Sequence, residues 1–378
     1  MLTALLVIAV FWLAYSNGAN DNFKGVATLY GCGAASYRTA LIWTTGATVA
    51  GSLVSIILAG ALAESFSGKG LLPDDVVTGA PVLLAVGSAA AITILLATVL
   101  GMPTSTTHAL IGALMGISLL VSGAGVAMGS LRGGFFQPLL ISPLLAIAGA
   151  AILYTILHRV RLASGVARDT CLCIGSEVKP VSLTRDGAAT VAIPADGGPT
   201  ITLGPSQRCV DRYGGRLIGV SAQTAVDSAH YLSAASVSFA RAVNDTPKIA
   251  ALLLAGGAAG AAGVPWQLAL VAAAMAAGGL LSSRRIAETM SHRITGLNPG
   301  QGLTGNLVTA GLVLGASSLG APVSTTHVSV GSLFGIGAVS GQARWGTIAR
   351  ILLTWVTTLP MGAVLGAAIY FSLTALGA

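Results

Sequence analysis

The sequence predicts an all-α polytopic membrane protein: two inverted-topology repeats with broken helices and re-entrant hairpins, plus a small β-rich cytoplasmic insert. Three observations lead there. Charged residues make up 8% of the 378 residues and hydrophobic ones 54%, whereas a soluble globular chain carries about 25% charge; mean hydropathy is +0.84. Apolar runs of roughly the 20 residues needed to cross a bilayer recur along the chain. Two polar strings each occur twice, in the same order, once in each half. The 50 glycines suit helices that approach closely in lipid through small side chains. The net charge of +7 is spread without a basic stripe or aromatic platform, which argues against nucleic acid as a partner; much of it sits in loops, where cations mark the cytoplasmic side.

Candidate spans are 2–30, 38–62, 79–100, 103–121, 136–158, 217–256, 264–283, 300–320, 322–340 and 346–375. The first run carries a motif and lacks a basic start, so it reads as a retained span rather than a cleaved signal. Two runs are too long for one straight helix; SNGANDN (16–22) interrupts the first and RAVNDTP (241–247) the sixth. The segments at 103–121 and 322–340 are short and begin with proline, as half-helices or re-entrant hairpins do; such elements survive at membrane depth only inside protein or beside a wet cavity.

Loop charges set the orientation. Lys24 and Arg38 near 31–37, and Arg284, Arg285 and Arg293 in 284–299, place those loops inside; Glu64, Asp74 and Asp75 against Lys69 place 63–78 outside. Equivalent loops then fall on opposite faces, as inverted repeats require. The domains expected are an N-terminal membrane repeat (1–161), a soluble insert (162–216) and a C-terminal membrane repeat (217–378). Within the insert, VSLTRDGAATVAIPADGGPTITLG alternates apolar and polar residues around turn dipeptides and reads as β-hairpin. Arg159, Arg161 and Arg168 place it in the cytoplasm. It holds Cys171, Cys173 and Cys209, expected to be free cytoplasmic thiols because CxC with one distant cysteine is a weak metal or redox signal.

The repeat has two parts. GANDNFKGVATL (18–29) matches AVNDTPKIAALL (242–253), pairing Asn20 with Asn244, Asp21 with Asp245 and Lys24 with Lys248. GMPTSTTHALIG (101–112) matches GAPVSTTHVSVG (320–331). Asp21 to His108 spans 87 residues and Asp245 to His327 spans 82, so two homologous halves explain the pattern better than chance.

Ser and Thr are good N-caps, and a helix start offers free N–H groups and a partial positive charge to an oxyanion. Two such starts meeting mid-membrane would surround one anion with Ser105, Thr106, Thr107, Ser324, Thr325 and Thr326. Asp21 and Asp245 repel an anion, but a carboxylate beside Asn20 and Asn244 suits a hard cation, Na⁺, or a proton, and a cation beside the anion couples their movements. Lys24 and Lys248 lie one helical turn past each Asp. They either pair with it, snorkel or supply fixed positive charge to the anion. His108 and His327 read as hydrogen-bonded structural residues more readily than as proton shuttles. Arg241 stands where the first copy has Asn17 or a neighbour.

The GAND string and G-x-P-x-S-T-T-H in each half resemble the inorganic phosphate transporter (PiT) family, over nearly all of the chain except 162–215. The resemblance implies a sodium- or proton-coupled symporter, with Asn20, Asp21, Asn244, Asp245 and both STT strings lining the transport site. The substrate set is then Ser105, Thr106, Thr107, Ser324, Thr325, Thr326, Asn20, Asn244, Lys24 and Lys248. The coupling-ion set is Asp21, Asp245, Asn20 and Asn244, with Asp21 and Asp245 as metal ligands for Na⁺ only. No cofactor is expected beyond Na⁺ as coupling ion.

Two departures stand out. The family usually has small or apolar residues where Lys24 and Lys248 stand. It also often carries a glutamate where this chain has Thr48 and Asn306. A sulfate or other oxyanion permease of the same superfamily is therefore an alternative to phosphate symport, as is a passive anion channel, against which the carboxylates argue. Absence of a Walker motif argues against ATP drive within the chain, and duplication of every polar motif argues against an enzyme. The expected location is a cell membrane, specifically a prokaryotic inner membrane, and a homodimer is left open.

Overall fold

The computed structural model describes residues 2–58, 72, 74–123, 132–182, 190–194, 198–213, 215, 217–257 and 264–377. Most of the expected outside loop 63–78, with Glu64 and Lys69, lies outside the described residues, as do the insert's turns at 183–189 and 195–197. The chain forms two compact units, 1–154 with 230–378, and 155–229.

In the first unit, α1 (Leu2–Asp21) runs through the polar string and ends at its Asp. A 3₁₀ turn (Asn22–Gly25) and the short α2 (Ala27–Gly31) follow. The chain breaks there because Asn and Gly are weak helix formers, and because Gly25 lets the backbone lie against Ser238, whose Oγ would be 2.2 Å from an added Cβ. Next come α3 (Tyr37–Leu58), α4 (Asp74–Val77), α5 (Ala80–Val99), α6 (Thr106–Ser122) and α7 (Gln137–Ser164).

After the insert, α9 (Ala222–Ala255) is one uninterrupted helix. This corrects the expectation of a break at RAVNDTP. Pro247 stands inside the helix, but Ile249 to Leu253 are all buried, and close packing lets a membrane helix tolerate a proline. The start of the sixth predicted span is also corrected, since Leu217–Ser221 is a strand. The unit continues with α10 (Val264–Ser282), α11 (Arg284–Glu288), α12 (Pro299–Ser318), α13 (Thr325–Ser340) and α14 (Trp345–Ala375).

Among the described residues, four helices are long and apolar enough to cross a bilayer: Leu2–Gly25, Ala80–Val99, Gln137–Ser164 and Trp345–Ala375. Trp266–Ser282 and Arg284–Arg293 form a fifth candidate bent by 67°. Leu140, Leu144 and Ile152 on α7, and Leu353, Val356 and Val364 on α14, point outward, the surface that lipid requires. The largest apolar cluster joins α1, α5, α6, α9 and α10, with Val10, Leu13, Ile94, Ile117 and Met275 buried in it.

Glycines bring the two halves into contact. In α6, an added Cβ would fall 2.3 Å from Leu359 O at Gly112 and 2.0 Å from Ala363 O at Gly116, both on α14. The repeat-related Gly331 and Gly335 of α13 meet Pro143 O and Ile147 O on α7, at 3.0 and 2.2 Å. Each STT helix therefore packs through a G-x-x-x-G face on the closing helix of the other half.

In the second unit, β1 (Thr170–Gly175) is the centre of an antiparallel sheet, between β4 (Thr200–Pro205) and β5 (Leu217–Ser221). A separate pair joins β2 (Val178–Ser182) and β3 (Thr190–Pro194), in line with the predicted hairpin. Strand alternation puts Cys171 and Cys173 on one face, and α8 (Ser206–Tyr213) lays Cys209 over it. Cys173 and Cys209 are joined as a disulfide with Cα atoms 6.2 Å apart, which corrects the expectation of three free thiols. Cys171 is buried beside the pair and keeps its thiol. The half-buried Glu177 is held below the usual carboxylate range by its hydrogen bonds from Arg212.

Candidate functional site

The two STT helices start in the same way. Gly101 (φ 69°) and Gly320 (φ 68°) turn the chain left-handed after α5 and α12, a conformation that favours glycine. The extended Ser105 and Ser324 then cap α6 and α13, each accepting a hydrogen bond from the backbone N–H of the His three residues on, at 3.2 Å in both copies. The first turns of the two helices touch. Thr107 Oγ1 donates to Val323 O at 3.3 Å, Thr326 Oγ1 donates to Thr104 O, and the rings of His108 and His327 lie with centroids 4.5 Å apart. His327 also stacks on Trp355 at 3.8 Å.

The polar strings of α1 and α9 close on these helix starts. Asn20 donates to Thr98 Oγ1 (2.9 Å) and accepts from the Thr104 N–H (3.0 Å). Asn244 donates to Ser317, the repeat equivalent of Thr98, at 2.8 Å. Lys24 Nζ donates to Asp21 Oδ1, to Thr104 O (3.0 Å) and to Thr326 Oγ1. Lys248 Nζ donates to Asn244 Oδ1, to Val323 O (2.9 Å) and to Thr107 Oγ1 (2.9 Å). Each lysine thus reaches the carbonyl just before its own half's capping Ser, and the last Thr of the other half's STT.

Asn17 and Arg241 complete the centre. The Asn17 amide lies 3.3 Å from Asp21 Oδ2, 3.3 Å from Asp245 Oδ2 and 2.8 Å from Thr106 Oγ1. Arg241 donates to Asn17 Oδ1 (3.0 Å) and Thr48 Oγ1 (2.8 Å), and lies 3.9 Å from Asp245. Lys248 stands 3.5 Å from the same carboxylate. Thr325 Oγ1 reaches Asp245 Oδ2 at 3.5 Å. The five charged groups Asp21, Lys24, Arg241, Asp245 and Lys248 are all buried.

Every residue singled out from the sequence as substrate- or ion-binding therefore belongs to one contiguous network. The serines cap, Thr325 reaches the Asp245 carboxylate while Thr106 takes the Asn17 amide, and the last threonines take the lysines. Sequence reasoning left out Asn17 as a site residue, although its alignment with Arg241 in the repeat was the available signal. Of the two positions without the family's glutamate, Thr48 joins the network through Arg241. Asn306 instead accepts from Thr28 (3.2 Å) and donates to Ser233 (3.3 Å).

A buried pair of helix starts, lined by hydroxyls and charged side chains, thus lies at the junction of two similar halves of a membrane protein. Residues 17–366 match the model of the phosphate transporter family, and the chain belongs to that family. It is 27% identical over 378 residues to the "Probable low-affinity inorganic phosphate transporter" of Bacillus subtilis, covering 99% of this chain and 97% of that one. It is 28% identical over 410 residues to the "Inorganic phosphate transporter 2-1, chloroplastic" of Arabidopsis thaliana, covering 94% of this chain and 69% of that one. A solved structure, "The sodium-dependent phosphate transporter", has the same fold, with TM-score 0.74, 22% identity and 99% coverage of both chains. The protein is a multi-pass membrane transporter, not an enzyme.

Proposed function

We propose that the protein is a secondary active symporter of inorganic phosphate, driven by a Na⁺ or H⁺ gradient. One central site lies between two inverted halves and opens alternately to either side of the membrane. The observation that carries this reading is the crossed pair Lys24–Thr326 and Lys248–Thr107, closed by Asn17 between the two carboxylates. It ties both repeats to one centre. There, the capped starts of α6 and α13 offer N–H groups and hydroxyls to an oxyanion. Ser105, Thr106, Thr107, Ser324, Thr325 and Thr326 supply donors, Asn20 and Asn244 position the strings, and Lys24 and Lys248 supply fixed charge. Asp21 and Asp245 serve the coupling cation.

The carboxylates also speak to substrate choice. A phosphate monoanion carries O–H groups that a carboxylate can accept, whereas sulfate carries none at neutral pH and meets only repulsion. Sites with buried acceptors reject an analogue that lacks the matching donor.

Uptake of radiolabelled phosphate into proteoliposomes, against excess unlabelled sulfate and under imposed pH and Na⁺ gradients, tests the reading. Phosphate is expected to accumulate under one gradient with little competition from sulfate. Asp21→Asn and Asp245→Asn are expected to abolish accumulation. Unchanged cation dependence in both variants would remove the carboxylates from coupling.

A further inference from the structure

The surroundings of the two lysine nitrogens carry a statement about the coupling ion. Lys24 Nζ is ringed by a carboxylate oxygen, a carbonyl oxygen and a hydroxyl oxygen. Lys248 Nζ is ringed by an amide oxygen, a carbonyl oxygen and a hydroxyl oxygen, with an Asp245 oxygen at 3.5 Å. The partners at both places are oxygens of the kinds that hold a hard cation where helices break in a membrane. Three acceptors around one nitrogen need three N–H donors, which only the ammonium form provides. Both threonine hydroxyls send their own protons to backbone carbonyls, so their lone pairs are left for the lysines. These oxygen cages are already filled, each by a cation tethered to the chain.

The charge count agrees. The buried centre holds three cations, Lys24, Arg241 and Lys248, and two carboxylates, Asp21 and Asp245, an excess of one positive charge. A singly charged phosphate brings this group to neutrality with no added ion. Were both lysines apolar, the same centre would carry one negative charge and would need two mobile cations to reach the same state. Burying further uncompensated charge at membrane depth is costly.

We infer that the Lys24 and Lys248 ammonium groups take the place of mobile sodium ions, so that this chain moves phosphate without Na⁺. The inference rests on the phosphate-transport reading above and removes Na⁺ from its coupling ions. It also sets this chain apart from the sodium-dependent phosphate transporter whose fold it shares.

Purified full-length protein in proteoliposomes tests it, with labelled phosphate uptake measured in Na⁺ and in choline medium under the same inward proton gradient, and ²²Na⁺ followed in parallel. Equal phosphate uptake within twofold, with no ²²Na⁺ accumulation, is expected. A tenfold or greater fall in choline, or ²²Na⁺ entering with phosphate, would overturn the inference and leave phosphate transport standing. No phosphate uptake in either medium by monodisperse protein would overturn the transport reading and this inference with it. Lys24→Met and Lys248→Met open the oxygen cages. Uptake of each is expected to drop at least tenfold in choline and to recover with Na⁺; variants as active in choline as the parent chain would also overturn the inference.

Discussion

The two halves share a motif but not a charge balance. In the first, Lys24 closes on Asp21, and the pair is neutral as it stands. In the second, Lys248 turns to Asn244, and Asp245 is shared among Lys248, Arg241, Asn17 and Thr325. Arg241 occupies the position where the first half has Asn17, and each reaches across to the other. The second half therefore holds the surplus positive charge, while the first supplies a balanced scaffold beside it. Duplication gave two equal frames, and one exchanged residue gives the centre its electrostatic direction.

Substitutions can break this comparison or sharpen it. The largest effect is expected where the halves interlock. Gly116→Leu or Gly335→Leu drives a side chain into a backbone carbonyl about 2 Å from where its Cβ would sit, beyond the ~1–3 kcal/mol of ordinary overpacking. Loss of the monodisperse peak on size exclusion is expected for both, and a fold that survives only one would show that the two interfaces differ in weight.

Next comes the charge asymmetry itself. Arg241→Asn gives the second half the residue of the first and removes the surplus charge. With the charge that attracts the anion gone, phosphate uptake is expected to fall at least tenfold, chiefly through KM. Unchanged uptake would place the anion-attracting charge elsewhere.

Smaller and matched effects are expected from the crossed threonines. Thr107→Val and Thr326→Val each remove a hydrogen bond to a charged group, a contribution of about 1.5–3 kcal/mol. Initial-rate uptake is expected to show a similar rise in KM, roughly tenfold, in both. A strong effect in only one would mean that the substrate sits against a single half. The smallest effect belongs to the caps. Ser105→Ala and Ser324→Ala are each expected to cost about 1 kcal/mol of stability, read as a modest drop in thermal midpoint, with a rise in KM smaller than that of the threonine variants.

Much of this arrangement was legible in the sequence, because its parts are local. Proline, then Ser, then two Thr and a His specify a capped helix start wherever they occur, and the Asp–Lys spacing places both groups on one helical turn. Apolar run lengths located most of the helices. What escaped depends on contacts between segments far apart in the chain. The unbroken course of α9 through Pro247 depends on neighbours that bury Ile249 to Leu253. The link from Asn17 to Arg241 crosses 224 positions. The Cys173–Cys209 bond needed a helix laid over a strand, and no CxC spacing specifies that.

The exchange of closing helices bears on how the protein is made. Among the described residues, Gly112 and Gly116 of α6 meet the backbone of α14, a helix of the second half that is made long after α6. Until then the grooved face of α6 has no native partner, and its first turn lacks the lysine and threonine supplied by the second repeat. Assembly of the buried centre is thus deferred until the second half has been made, and a chain truncated before Leu359 would strand an inserted but unfinished bundle for the cell's quality-control proteases to clear.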